Sequence, residues 1–118
     1  MVKEFETLEV WKRSACLSSQ IYQEFKGFRD YGYKDQITRA GLSVSSNIAE
    51  GFERGSFKQF TYFLKIAKGS AGELRSQIHI GIKIGYIERE KGKIWIEETK
   101  VISKMLYSLI ESINRKIT

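Results

Sequence analysis

The chain has no proline, one cysteine and one histidine in 118 residues. Long helices suit a chain without proline; a loop-rich or all-β protein rarely lacks it. The lone Cys16 excludes an internal disulfide and any multi-cysteine metal site. A catalytic cysteine would need a histidine beside it, and His79 is the sole candidate. On a helical wheel Cys16 falls beside Lys12, Gln20 and Gln23, so it is expected to face solvent or a partner subunit. No apolar run is long enough to cross a membrane. Met1 to Glu9 hold three glutamates and no apolar h-region, unlike a secretory signal. The expected compartment is therefore the cytoplasm, where a free thiol persists. The length fits one domain, residues 1–118, with chain enough for a real core.

Motifs of known chemistry are missing too. There is no G-x-x-x-x-G-K-[ST] loop, and no G-x-G-x-x-G follows a strand pattern. No E-x-x-H pair exists, because Ser76 stands three residues before His79. Glu97 and Glu98 are adjacent, so they diverge on a helix and cannot share a metal. No catalytic residue, cofactor or metal is expected, and an enzyme is the weakest of the readings.

What is present is helical periodicity. A first helix is predicted from about Leu8 to Phe25, with Leu8, Trp11, Ala15, Tyr22 and Phe25 in one stripe and Val10, Leu17 and Ile21 in a second. Gly27 ends it, and Asp30 and Gly32 read as turn residues. A second helix is predicted from about Lys34 to Phe52, with core positions Ile37, Ala40, Val44, Ile48 and Gly51, widened by Leu42 and Phe52. Ser56 with Gln59 forms an S-x-x-Q capping box for a third helix, which Gly85 stops. A fourth begins between Glu88 and Lys93 and runs to about Lys116, with apolar positions that include Ile94, Ile102, Leu106 and Ile113. Four amphipathic helices on short links predict an all-α fold, an antiparallel up-down-up-down four-helix bundle.

The third helix carries the most information. Phe60, Phe63, Leu64, Ala67, Ala71, Leu74, Ile78 and Ile82 mark its core face. Lys58, Lys65, Lys68, Arg75 and Lys83, with His79, share an arc of roughly 100° away from it. Net charge is +6, but residues 1–55 balance, while residues 56–85 hold five basic groups against Glu73 alone. Clustered charge, more than total charge, sets a field. The basic arc is the candidate nucleic-acid-binding face, for RNA or DNA without sequence preference. Between the two arcs lie Tyr62, Ile66, Ile80 and Ile84, which make the apolar girth too wide for one surface helix. Either the third helix is the most buried of the four, or this flank is an oligomer interface. Gly69, Gly72 and Gly81 lie inside the helix at about 1 kcal/mol each. Gly81 faces the core; at Gly69 and Gly72 another helix or a phosphate chain could approach the backbone.

Arg39, Asn47, Glu50 and Arg54 with Glu73 and Gln77 read as a polar seam between the second and third helices, structural before functional.

Certain segments resemble a known family. They are Phe5-x-x-Leu8-x-Val10-Trp11, Gln36-Ile37-x-Arg39-Ala40, Ser45-Ser46-Asn47-Ile48-Ala49-Glu50-Gly51 and Gly55-Ser56, then Gly69-Ser70-x-x-Glu73-Leu74 and Gly85-Tyr86-Ile87. The chain resembles the four-helix-bundle proteins encoded by intervening sequences in bacterial 23S ribosomal RNA genes. It departs from their pattern at Gly41, Gly72 and Glu88, the last where a better helix cap is expected. The resemblance implies a four-helix bundle and a homo-oligomer, with a ring-like pentamer favoured. It is also similar to an accessory protein of diversity-generating retroelements, a basic pentameric barrel that binds a reverse transcriptase and nucleic acid. Two readings stay open: an oligomeric nucleic-acid binder, or a protein-interaction scaffold of the same fold with a protein partner.

Overall fold

Glycines and capping oxygens cut the chain into helices. Gly27, Gly55 and Gly85 have φ of 78°, 83° and 84°, where a side chain is penalised, and each follows a helix end. A side-chain oxygen then starts each following helix. Asp30 accepts from the Tyr33 amide at 3.1 Å and Ser56 from the Gln59 amide at 3.1 Å. The Glu88 carboxylate accepts from the amides of Glu90 and Lys91 at 3.0 and 3.2 Å. These bonds satisfy amides that a helix start leaves unpaired.

The computed structural model describes residues 2–117. A 3-10 turn, Phe5–Thr7, precedes α1 (Glu9–Glu24), α2 (Tyr31–Glu53), α3 (Phe57–Lys83) and α4 (Arg89–Ile117), with no strand among the described residues. The second helix begins three residues before the predicted Lys34, because Asp30 caps it instead of only turning the chain. Glu88 fills the cap position that its sequence context made doubtful.

The core lies along α3. Leu64, Ala67, Ala71, Leu74 and Ile78 are buried against Ile37, Val44 and Ile48 of α2 and Ile102 and Leu106 of α4. The 16-residue α1 packs mainly on α2 and touches α4 lightly. Several predicted apolar-face positions fall outside the core, Tyr22 at 44% and Ile117 at 48% exposed among them. Leu42 is 47% exposed and Ile94 68% exposed. Both rim grooves beside α1, Leu42 with Trp11 and Tyr22, Ile94 with Arg13 and Gln20; a single narrow helix does not cover them.

Specific contacts pair the helix ends. The Tyr33 hydroxyl at the start of α2 donates to the Gln77 carbonyl near the end of α3, at 2.6 Å. Gly51, late in α2, lies against Phe60 and Phe63, early in α3. Lys91 of α4 pairs with Glu24 of α1 at 2.6 Å, and Arg13 grips Glu98 through two bonds of 2.9 and 2.6 Å. At one end of the bundle Phe25, Phe28, Tyr33 and Tyr86 meet edge to face, with centroids 4.7–5.6 Å apart. Asp30 ties this cluster together: one oxygen caps α2, and the other accepts from the Tyr86 hydroxyl at 2.6 Å.

That cluster shifts its own titrations. Burial, then the neighbouring Tyr86, raises the Tyr33 pKa to about 12. The Tyr86 hydrogen bond, then the Tyr33 amide, holds Asp30 below its ordinary value. The amides of Glu90 and Lys91 lower Glu88 likewise.

Two expectations follow from these contacts. A Cβ at Gly51 would stand 2.6 Å from the Phe63 Cβ and 3.2 Å from the Phe60 carbonyl oxygen, whereas one at Gly69 would meet nothing within 4 Å. Chemical denaturation should therefore show Gly51→Ala losing about 1–2 kcal/mol net, overpacking outweighing the gain in helix propensity. Gly69→Ala should gain up to about 1 kcal/mol. The second expectation concerns pH. Tyr33 keeps its proton up to about 12 in the fold, while the unfolded chain releases it near 10, so its contribution is full below pH ~10 and lost as pH rises towards ~12. Thermal melts should show Tyr33→Phe flattening that decline. On the acid side Asp30 and Glu88 contribute above their ordinary values of 3.8 and 4.5, and that contribution is lost as pH falls through their lowered folded values.

Candidate nucleic-acid interface

A helix held between two neighbours has only its outer arc free. On α3 that arc is divided. The side towards α4 carries Lys58, Lys65, Lys68, Arg75, His79 and Lys83, all exposed except the half-buried Arg75. The side towards α2 carries Tyr62, Ile66, Ile80 and Ile84, all exposed. Gly69 lies between the two and Gly72 within the basic side, and a Cβ at either would meet nothing within 4 Å.

Ion pairs form elsewhere. Among the described residues Arg13 pairs with Glu98, Arg54 with Glu50, Lys91 with Glu24, Lys93 with Glu90 and Lys100 with Glu97. None of the six basic groups of α3 is in an ion pair among the described residues. Their charge is balanced by mobile counterions, which a polyphosphate releases on binding.

The structure adds residues that the sequence reading passed over. Lys68 and Arg75 line a groove of about 490 Å³ with Lys100, Ser103, Lys104, Tyr107 and Ser108 of α4. Four cations and three hydroxyls face this groove, and no carboxylate lines it. Lys58, Lys65, His79 and Lys83 lie outside it, further along the same helix. The spacing of Lys100, Lys104 and Tyr107 marks one helix face, but nothing in the spacing said which neighbour that face would meet.

The polar seam does not form as one network. Asn47 bonds within α2, to the Ser43 carbonyl at 2.8 Å and the Ser43 hydroxyl at 2.9 Å. Ser43 reaches across to Ser70 of α3, 2.8 Å between hydroxyls, a second polar link beside that of Tyr33 to Gln77. Glu50 and Arg54 pair at 2.8 Å on the surface, and the Arg54 guanidinium lies 4.9 Å from the centre of the Phe63 ring. Arg39 and Glu73 are exposed. Gln77 contributes its backbone carbonyl to Tyr33, while its buried side-chain oxygen has no partner among the described residues. Six side chains assigned to one seam between the second and third helices thus do not join: the short Ser43 and Ser70 bond across the pair, while Arg39 and Glu73 stay on the surface.

Cys16 is exposed on α1, and its near polar neighbour is Gln20, with nitrogen and sulfur 3.5 Å apart. His79 is on α3, whose backbone comes nowhere within 8 Å of that of α1, Cα to Cα, among the described residues. No three His, Cys, Asp or Glu side chains gather as a metal-binding group among the described residues. No described helix is long and apolar enough to cross a membrane.

These features define an all-helical protein with one helix at its core and an uncompensated cationic face on that helix. Over residues 6–108 the chain matches the 23S rRNA-intervening sequence protein family, and it belongs to that family. It is similar to a crystal structure of a protein with unknown function from the S23 ribosomal protein family of Bacteroides thetaiotaomicron VPI-5482. The TM-score is 0.79 at 28% identity, over 86% of this chain and 97% of that one. No curated protein matches the chain.

Proposed function

We propose that this chain is a non-catalytic, oligomeric protein of the cytoplasm that binds RNA or DNA without sequence preference through the basic face of α3. We read its helices as an antiparallel up-down-up-down bundle, a geometry that the paired helix ends support. The observation that carries the function is the row of α3 cations with no carboxylate partner among the described residues. Phosphates are the common biological groups able to use such a row repeatedly, and each contact strengthens as salt falls. Copies arranged around a ring would multiply weak contacts, and the pentamer implied by the resemblance is the preferred number.

The exposed flank of Tyr62, Ile66, Ile80 and Ile84 supports the oligomer. A neighbouring patch of large apolar groups usually marks an interface. The same flank also supports the second reading, a scaffold that uses this surface for a protein partner and binds no nucleic acid.

Binding of labelled RNA and DNA should weaken steeply with salt in the wild type. It should be nearly abolished in the triple variant Lys65→Glu, Lys68→Glu, Arg75→Glu. Binding indifferent to both changes would remove the basic-face proposal, and absence of wild-type binding would favour the scaffold. Sedimentation should find an oligomer that Ile66→Glu with Ile80→Glu dissociates; a wild-type protein that stays monomeric at high concentration would remove the interface.

A further inference from the structure

We infer that the groove between α3 and α4 takes single-stranded nucleic acid, with one base stacked on Tyr107. This rests on the nucleic-acid reading above and goes further, because it names the form of the strand and adds α4 to the surface.

Tyr107 is 57% exposed, yet it lines a groove whose other walls are Lys68, Arg75, Lys100 and Lys104 with the hydroxyls of Ser103 and Ser108. An aromatic face within a ring of cations matches what a single strand presents: phosphates at intervals, with bases free to turn aside. A duplex offers phosphates but hides its base faces in the stack, so it has nothing to place on the ring. The Tyr107 ring also makes no aromatic pair among the described residues, unlike Phe25, Phe28, Tyr33 and Tyr86 at the end of the bundle. Its ring is free for a ligand.

The dimensions fit a short run of nucleotides. Lys68 to Arg75 spans two turns of α3, about 10 Å at ~1.5 Å per residue. That is about three nucleotides at the ~3.4 Å rise of a stacked strand. Carboxylates bound the stretch on α4 at Glu97, which pairs with Lys100 at 3.4 Å, and at Glu111, one turn beyond Tyr107. They limit the cationic groove to the segment around the exposed ring.

The test uses fluorescence anisotropy with 20-nucleotide single-stranded RNA and DNA probes and a 20-base-pair duplex, with circular dichroism confirming that each variant is folded. The single strands should bind at least about ten times more tightly than the duplex. Tyr107→Ala should weaken single-strand binding by about 5- to 150-fold and leave the duplex unchanged, and Tyr107→Phe should restore it. Lys100→Gln with Lys104→Gln should lower the single-strand salt slope by about 1.4. Equal or tighter duplex binding, or a Tyr107→Ala variant indistinguishable from wild type, would overturn the single-strand inference and leave the nucleic-acid reading standing. Failure of the wild type to bind any probe would overturn both.

Discussion

The structure depends on how closely α2 and α4 approach α3. Near one end of α3, Gly51 of α2 is in contact with Phe63 and Phe60. Near the other, Gly81 of α3 faces the Tyr33 hydroxyl and Ile87, and Gly92 of α4 faces Ile82. A Cβ at Gly51 would press on the Phe63 Cβ and the Phe60 backbone, so two helices would have to part, whereas at Gly81 and Gly92 the side-chain ends of Tyr33, Ile87 and Ile82 would have to move within a close-packed core. The three contacts hold α3 along the middle of the molecule and leave α1 at the side.

That central position decides what α3 can expose. Its inner arc is used by Leu64, Ala71 and Leu74 and their neighbours in the core. The outer arc falls into a cationic strip beside α4 and an apolar strip beside α2. Neither strip improves the stability of a single chain. Unpaired like charges repel one another, exposed isoleucines remain hydrated, and open glycines at Gly69 and Gly72 weaken the helix by about 1 kcal/mol each. Elements that cost stability in isolation are expected where a protein meets something else. The two strips differ in chemistry, so they fit two kinds of contact: phosphate on one side and an apolar surface on the other.

Much of the fold was legible because each helix boundary has a local chemical cause. Ser56 with Gln59, and glycines at the three links, act within a few residues, so spacing alone exposes them. The early start of α2 was less visible, since Asp30 serves equally well as a turn residue and as a cap. Leu42 and Ile94 have core-like spacing but stay exposed, because periodicity reports which face a residue occupies, not whether another helix covers it. The polar seam separated for a related reason: reach across a helix pair depends on side-chain length and on the crossing, as the contact between Ser43 and Ser70 shows.

The amino-acid order determined that the chain would be helical, where its helices begin and end, and that positive charge would gather on the third. Those properties depend on backbone propensity, capping and composition, all short in range. Only the folded arrangement decided that Lys68 and Arg75 would stand opposite Lys100, Lys104 and Tyr107, about thirty residues away, and that Tyr86 would return to Asp30. Such pairings arise when apolar faces of distant segments close on one another, and the angle at which they close is a property of the packed core as a whole.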